Sequence, residues 1–355
     1  MAKDIQMANV VYDDFPLWFI TVESISSVIL LILTIITIPL YIFEINTIFN
    51  NRNTIFQGPF YRLMFIGMIV DVLSAINIFT GQIIPAKKLF SDFYLDNEHV
   101  LGVIFYVVTY GGRCVQGATA TLLAFCRVCA LCFPILYRKL NERMYVIGMQ
   151  LAQSIGAIVA VLMLLPRDYK YYFENGGYYS SFDDLSFRNR FYTLVAILEL
   201  FFVVCIVVFN ITLLIAFRFR YKPMSSTFNS GAQLDNRHTR EKQKQEKNLT
   251  KMTFIVCSVE IIYFIFVVYT LQINTRINKR IFYLFYNILC VTYSTFSAWM
   301  LLIFSRPITL QFAQFLRIIR RSNSTQPLQS TSNNMMNINN NREKRMSLAL
   351  NAASY

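Results

Sequence analysis

Seven segments of this chain are apolar and long enough to cross a bilayer, at about residues 17–43, 61–84, 101–126, 145–165, 191–217, 252–273 and 281–304. A hydrocarbon core about 30 Å thick needs roughly 20 apolar residues per helical span. Within it, backbone groups must be bonded inside their own segment or around a closed barrel. Barrel strands are short and alternate, whereas these runs are continuous, so they predict helices. The fold class that follows is an all-α membrane protein, a seven-transmembrane helix bundle with a short amphipathic helix after the last span. A length of 355 residues would suggest two soluble domains. The spans leave only modest loops, however, so residues 17–304 read as one domain. It is flanked by an N-tail (1–16), an amphipathic segment (305–321) and a polar tail (322–355) whose Asn, Ser and Thr predict disorder.

The net charge of +13 is unevenly placed. Alternate non-membrane segments, starting with the N-tail, hold 10 Lys and Arg against 10 acids, and the other set holds 22 against 6. Basic residues favour the cytosolic side, which places the N-terminus outside and the C-terminus inside. This pattern argues for a lipid bilayer as the basic face's partner and against nucleic acid. No short apolar core with a cleavage site opens the chain, so the first helix reads as an uncleaved signal-anchor. All seven cysteines lie in or at the edge of spans, so no extracellular disulfide is expected.

The loops carry two further signals. The second outside loop (166–190) contains Tyr169, Tyr171, Tyr172, Phe173, Tyr178, Tyr179 and Phe182. It fits a lid over a pocket or an aromatic belt at the headgroups equally well. In the third inside loop, the basic run Arg237 to Lys251 has good helix formers and is expected to extend helix six into the cytosol. It suits either anionic lipid or a cytosolic partner. After the last span, Ile308, Phe312, Phe315, Leu316 and Ile319 recur at helical spacing beside Arg317, Arg320 and Arg321, the pattern of a helix lying on the inner leaflet.

Helix three ends in Cys126-Arg127-Val128-Cys129-Ala130-Leu131-Cys132-Phe133-Pro134-Ile135-Leu136-Tyr137. Arg127 followed by Pro134 and Tyr137, at the inner edge of a helix running inward, resembles the cytoplasmic end of helix three in rhodopsin-like G-protein-coupled receptors. Cys126 stands where that superfamily usually has an acid. Helix seven has no Asn-Pro-x-x-Tyr element and helix six no proline. A narrower resemblance is to the nematode serpentine chemoreceptors of the class gamma and class V group, over about residues 20–320. It is carried by Phe60-Tyr61-Arg62-Leu63, Asp71, the stretch from Arg113-Cys114-Val115-Gln116 to Arg127, Pro134, Tyr137, and Asn248-Leu249-Thr250 entering helix six. It implies a plasma-membrane receptor of sensory neurons, often ciliary, that couples a small external molecule to a heterotrimeric G protein. Arg127, Pro134, Tyr137, Asp71 and Glu260 would then form the signalling switch.

Five ionisable residues lie inside spans: Glu23, Asp71, Arg113, Glu199 and Glu260. Such residues are costly in lipid and are candidates to face the interior functionally. At 1.5 Å per residue, Arg113 comes out roughly 21 Å above the inner edge and Glu199 roughly 27 Å, with Glu23 near the same level. Asp71 and Glu260 come out lower, at roughly 12–15 Å. The upper layer is the expected ligand site, with Arg113, Glu199, Gln116 and Tyr110. There Arg113 either pairs with a ligand carboxylate or sulfate, or simply ties helix three to Glu199 on helix five. The lower layer is either a relay toward Arg127 or a set of protonated, hydrogen-bonded acids.

Cys126, Cys129 and Cys132 have no His nearby, the two histidines being His99 and His238 in loops, so neither a metal nor another cofactor is expected. No nucleophile–base pair, Gly-rich phosphate loop or His-Glu zinc motif suggests an enzyme. A transporter would show inverted repeats with broken helices, which an odd helix count opposes. A ligand-gated channel of the insect odorant type needs the opposite topology.

Overall fold

The computed structural model describes residues 16–174, 177–220, 248, 250–266, 268 and 279–323. The N-tail before Pro16, the basic run Arg237 to Lys247 and the tail beyond Asn323 lie outside the described residues. The main helices are α1 (Leu17–Asn50), α2 (Pro59–Ala86), α3 (Glu98–Cys132), α4 (Arg143–Leu164), α5 (Leu185–Arg220), α6 (250–266), α7 (Lys279–Phe304) and α8 (Arg306–Asn323). Among the described residues, six of these helices are long and apolar enough to cross a membrane. The sixth apolar segment, 252–273, is helical over its described part. The charge asymmetry assigns the inner and outer ends of the bundle.

The helices overrun the apolar runs by a few residues because hydrogen bonding continues until a breaker stops it. Pro134 stops α3: Phe133 before it leaves the helical region at φ −131°, ψ 69°. Pro134 then opens a short helix, Pro134–Leu140, that carries Tyr137. Pro59 occupies the first turn of α2, where its missing N–H does no harm. Large apolar side chains such as Ile155, Leu162, Ile197 and Phe201 remain exposed, as expected for a surface whose solvent is lipid. The apolar window of α3 is 67% buried against 22% for α4 and α5, so α3 is the central helix.

Two π-helical turns interrupt the outer halves of α2 (Phe79–Ile83) and α3 (Val107–Gly111). Such turns shift the helix register and recur at functional sites. The one in α3 lies just before Arg113. Asn77 of α2 fastens it, its amide donating to the Phe105 carbonyl and to Thr109 Oγ1, each at 3.0 Å.

The second outside loop forms an antiparallel hairpin, β1 (Tyr169–Glu174) with β2 (Gly177–Phe182). Its alternation is that of a half-buried strand: Tyr169 and Tyr171 point inward, Lys170 and Tyr172 outward. Tyr169 donates to the Leu164 carbonyl at 2.7 Å, and Tyr106 of α3 donates to the Ser180 carbonyl at 3.0 Å. Tyr179 stacks on Tyr283 of α7, with ring centroids 4.6 Å apart. Of the two readings open for this loop, the hairpin takes the lid over the outer end of the bundle. Burial pushes the Tyr169 phenol up from its ordinary range, so it stays a neutral donor.

Candidate functional site

The centre of the bundle is built on Arg113. Its Nε donates to Glu199 Oε1 at 2.7 Å and one terminal nitrogen to Glu199 Oε2 at 3.0 Å, a forked contact between α3 and α5. The same terminal nitrogen also donates to Glu260 of α6. Tyr293 of α7 donates to the other Glu260 oxygen. The guanidinium carbon lies 3.9 Å from the ring centre of Tyr263 and 4.5 Å from that of Tyr293. Arg113, Glu199 and Glu260 are all buried. One side chain therefore joins four helices, through charge-assisted hydrogen bonds and aromatic faces.

Glu260 is thus placed differently from the two-layer expectation. Depth counted from the start of an apolar run does not fix a membrane edge, and α6 is already helical at residue 250. By that count Arg113 lay between Glu199 and Glu260, and its long forked head reaches both. Glu23 is also not part of this centre: it accepts from Lys87 at 2.8 Å, near the outer end.

One turn below Arg113, Gln116 donates to Asp71 Oδ1 at 2.7 Å. The Tyr41 hydroxyl of α1 lies 3.0 Å from Asp71 Oδ2 and 2.6 Å from the Ser294 carbonyl of α7. Asp71 therefore ties α2 to α1 and α3, and the Tyr41 hydroxyl carries the link on to α7. Arg113 and Gln116, with Ser74, Ile78, Thr109, Tyr263, Tyr286, Cys290, Tyr293 and Ser294, line a cavity of about 30 Å³. That is room for one or two waters. Tyr110 does not line it. It packs instead in the aromatic cluster under the hairpin, with Phe191 at 4.9 Å and Tyr106 at 5.8 Å between centroids.

The sequence reading missed Ser74, Thr109, Tyr263, Tyr286, Cys290 and Tyr293. A signal was present for three of them: Tyr286, Cys290 and Tyr293 follow i, i+4, i+7 spacing and so share one face of α7. Of the two alternatives for Arg113, the tie from helix three to Glu199 on helix five is the one formed. Two carboxylates already hold the guanidinium, and a further anion would add negative charge to a buried centre rich in it.

At the inner end, the Arg127 guanidinium carbon lies 4.1 Å from the ring centre of Phe60. Phe60 packs edge-on to Tyr61, whose hydroxyl is 3.3 Å from Ser305 Oγ at the end of α7. Cys126 is buried, its sulfur 3.9 Å from that of Met149. The position before Arg127 thus packs as an apolar residue.

A bundle of apolar helices with a charged core and this inner end is matched over residues 30–318 by the family model of the serpentine type 7TM GPCR chemoreceptors, Srv. The chain belongs to the Srv family. The resemblance drawn from short motifs is thereby narrowed to one class. A search of curated proteins found no match. This Srv protein is a multi-pass membrane protein with a chemosensory receptor role.

Proposed function

We propose that this protein is a chemosensory receptor of the plasma membrane, extending to the sensory cilium, that activates a heterotrimeric G protein when a small external molecule binds. The observation that carries this reading is the Arg113 clamp, which bonds α3 to α5 and α6 and, through Tyr293, to α7. A buried charged joint between helices has discrete arrangements rather than a continuum, so it suits a two-state device. A molecule entering beside Arg113 changes the balance of those contacts. Movement of α6 and α7 then alters the inner end, where Arg127, Pro134 and Tyr137 face the partner. The Asp71 knot holds α1, α2 and α3 as the fixed body.

The domain plan of 1–16, 17–304, 305–321 and 322–355 serves this reading. The amphipathic pattern of 305–321 suits the surface of the inner leaflet. The test is G-protein dissociation in cells, comparing wild type with Arg127→Ala at equal surface expression, over a panel of small metabolites. The expected result is a ligand response lost in the variant. Ligand-evoked current or uptake without G-protein dissociation would replace the receptor with a channel or transporter.

A further inference from the structure

The Arg113 centre also carries a statement about the chemistry of the ligand, which rests on the reading of this cavity as the receptor site. A guanidinium has five N–H groups. Nε and one terminal nitrogen are engaged by Glu199 and Glu260. The other terminal nitrogen, Nη1, is buried and donates to no described residue. Ser74 Oγ is likewise buried without a partner among the described residues. Arg113 and Ser74 are each 7% exposed, and both line the same cavity. The remaining lining includes Ile78, Tyr263, Tyr286 and Cys290. Buried polar groups left unpaired are rare, and each calls for an explanation.

Charge decides what fits there. The guanidinium faces two carboxylates, and Asp71 lies one turn below, held by Gln116. An anion brought to Nη1 would add a further negative charge to a buried site that already has more acids than bases. A cationic ammonium has no acceptor to offer Arg113 Nη1, and Arg113 already occupies the faces of Tyr263 and Tyr293. A neutral oxygen acceptor takes one of the two unpaired Nη1 N–H groups and the hydroxyl, and adds no charge to desolvate. We propose that the ligand is a small neutral molecule bearing a carbonyl-type oxygen, which accepts from Arg113 Nη1 and Ser74 Oγ while its carbon skeleton lies against Tyr263 and Tyr286. Because the cavity holds only one or two waters, the skeleton enters by parting α7 from α2 and α3. That movement couples occupancy to the clamp.

The test uses the full-length receptor in nanodiscs with three probes of similar size: 2-pentanone, butanoate and butylamine. Binding is read by ligand-observed NMR, and G-protein dissociation is read in parallel in cells. The expected result is binding of 2-pentanone and a loss of at least fivefold in its affinity in Ser74→Ala and in Ser74→Gly, which lack the hydroxyl. Tighter binding of butanoate or butylamine overturns the ligand class, as does ketone binding that neither Ser74 variant weakens or absence of binding by all three. The two readings separate cleanly. G-protein dissociation evoked by the acid or the amine leaves the receptor standing and removes the neutral-ligand proposal. Ser74-dependent ketone binding without G-protein dissociation supports the chemistry of the site and removes its coupling.

Discussion

Replacing Arg113 by alanine is the perturbation with the largest consequence expected from this structure. At an effective dielectric near 20, two unit charges about 4 Å apart interact by about 4 kcal/mol. Arg113 makes two such contacts, with Glu199 and Glu260. Arg113→Ala removes both and leaves two buried carboxylates close together with no cation. Breaking a buried ion pair by deleting one partner costs about 3–5 kcal/mol. Every 1.4 kcal/mol is tenfold, so the folded population falls relative to the unfolded by a factor of roughly 10² to 4 × 10³. Removing all the charges together is a different operation. Arg113→Met with Glu199→Gln and Glu260→Gln leaves no unpaired charge, and the new amide carbonyl on α6 can still accept from Tyr293. This triple variant should lie within about 1–2 kcal/mol of wild type, because neutral replacement of a whole buried charge cluster is often tolerated. Thermal unfolding of the purified receptor and surface expression in cells both read the order: wild type near the triple variant, the single variant far below. Wild-type stability in Arg113→Ala would refute the reasoning, as would a triple variant no better than the single one.

Two further substitutions test the packing. Glu44 on α1 is fully buried, and neither carboxylate oxygen has a hydrogen-bond partner among the described residues. Glu44→Met should raise thermal stability, by about 1–3 kcal/mol from the relieved polar burial; a loss of stability would show that the acid has a structural partner. A Cβ on Gly102 would stand 2.4 Å from Tyr169 Cβ under the hairpin. Gly102→Val should therefore cost about 1–3 kcal/mol and increase protease cleavage within 169–182, and unchanged cleavage would contradict close seating of the lid.

Much of the fold is legible in the sequence because the bilayer imposes a single strong rule on backbone hydrogen bonding. The starts of the apolar runs at 61 and 145 lie within two residues of the helix starts at Pro59 and Arg143. The pairing of Arg113 with Glu199 also follows from depth, since rise per residue is fixed. Depth failed for Glu260 because it was counted from a compositional edge rather than a physical one. The π-turn at Val107–Gly111 has no sequence signature, yet it sets the register in which Arg113 meets its partners. The Tyr-rich loop was ambiguous for a different reason. Tyr is amphipathic and serves protein and headgroup surfaces alike, so only the Tyr106–Ser180 bond and the Tyr179–Tyr283 stack decide between them.

The clamp's role as the restraint on the resting receptor is tested most directly by basal signalling. Glu260→Gln weakens the charged arm to α6 while Glu199 still holds Arg113, so folding should be retained. A loss of about 1–2 kcal/mol from the resting state shifts a two-state equilibrium roughly five- to thirtyfold. G-protein dissociation without added ligand, in cells with matched surface receptor, should rise severalfold in Glu260→Gln over wild type. Basal signalling at or below wild type, with the variant equally present at the surface, would contradict the Arg113 clamp as the element that holds the receptor at rest.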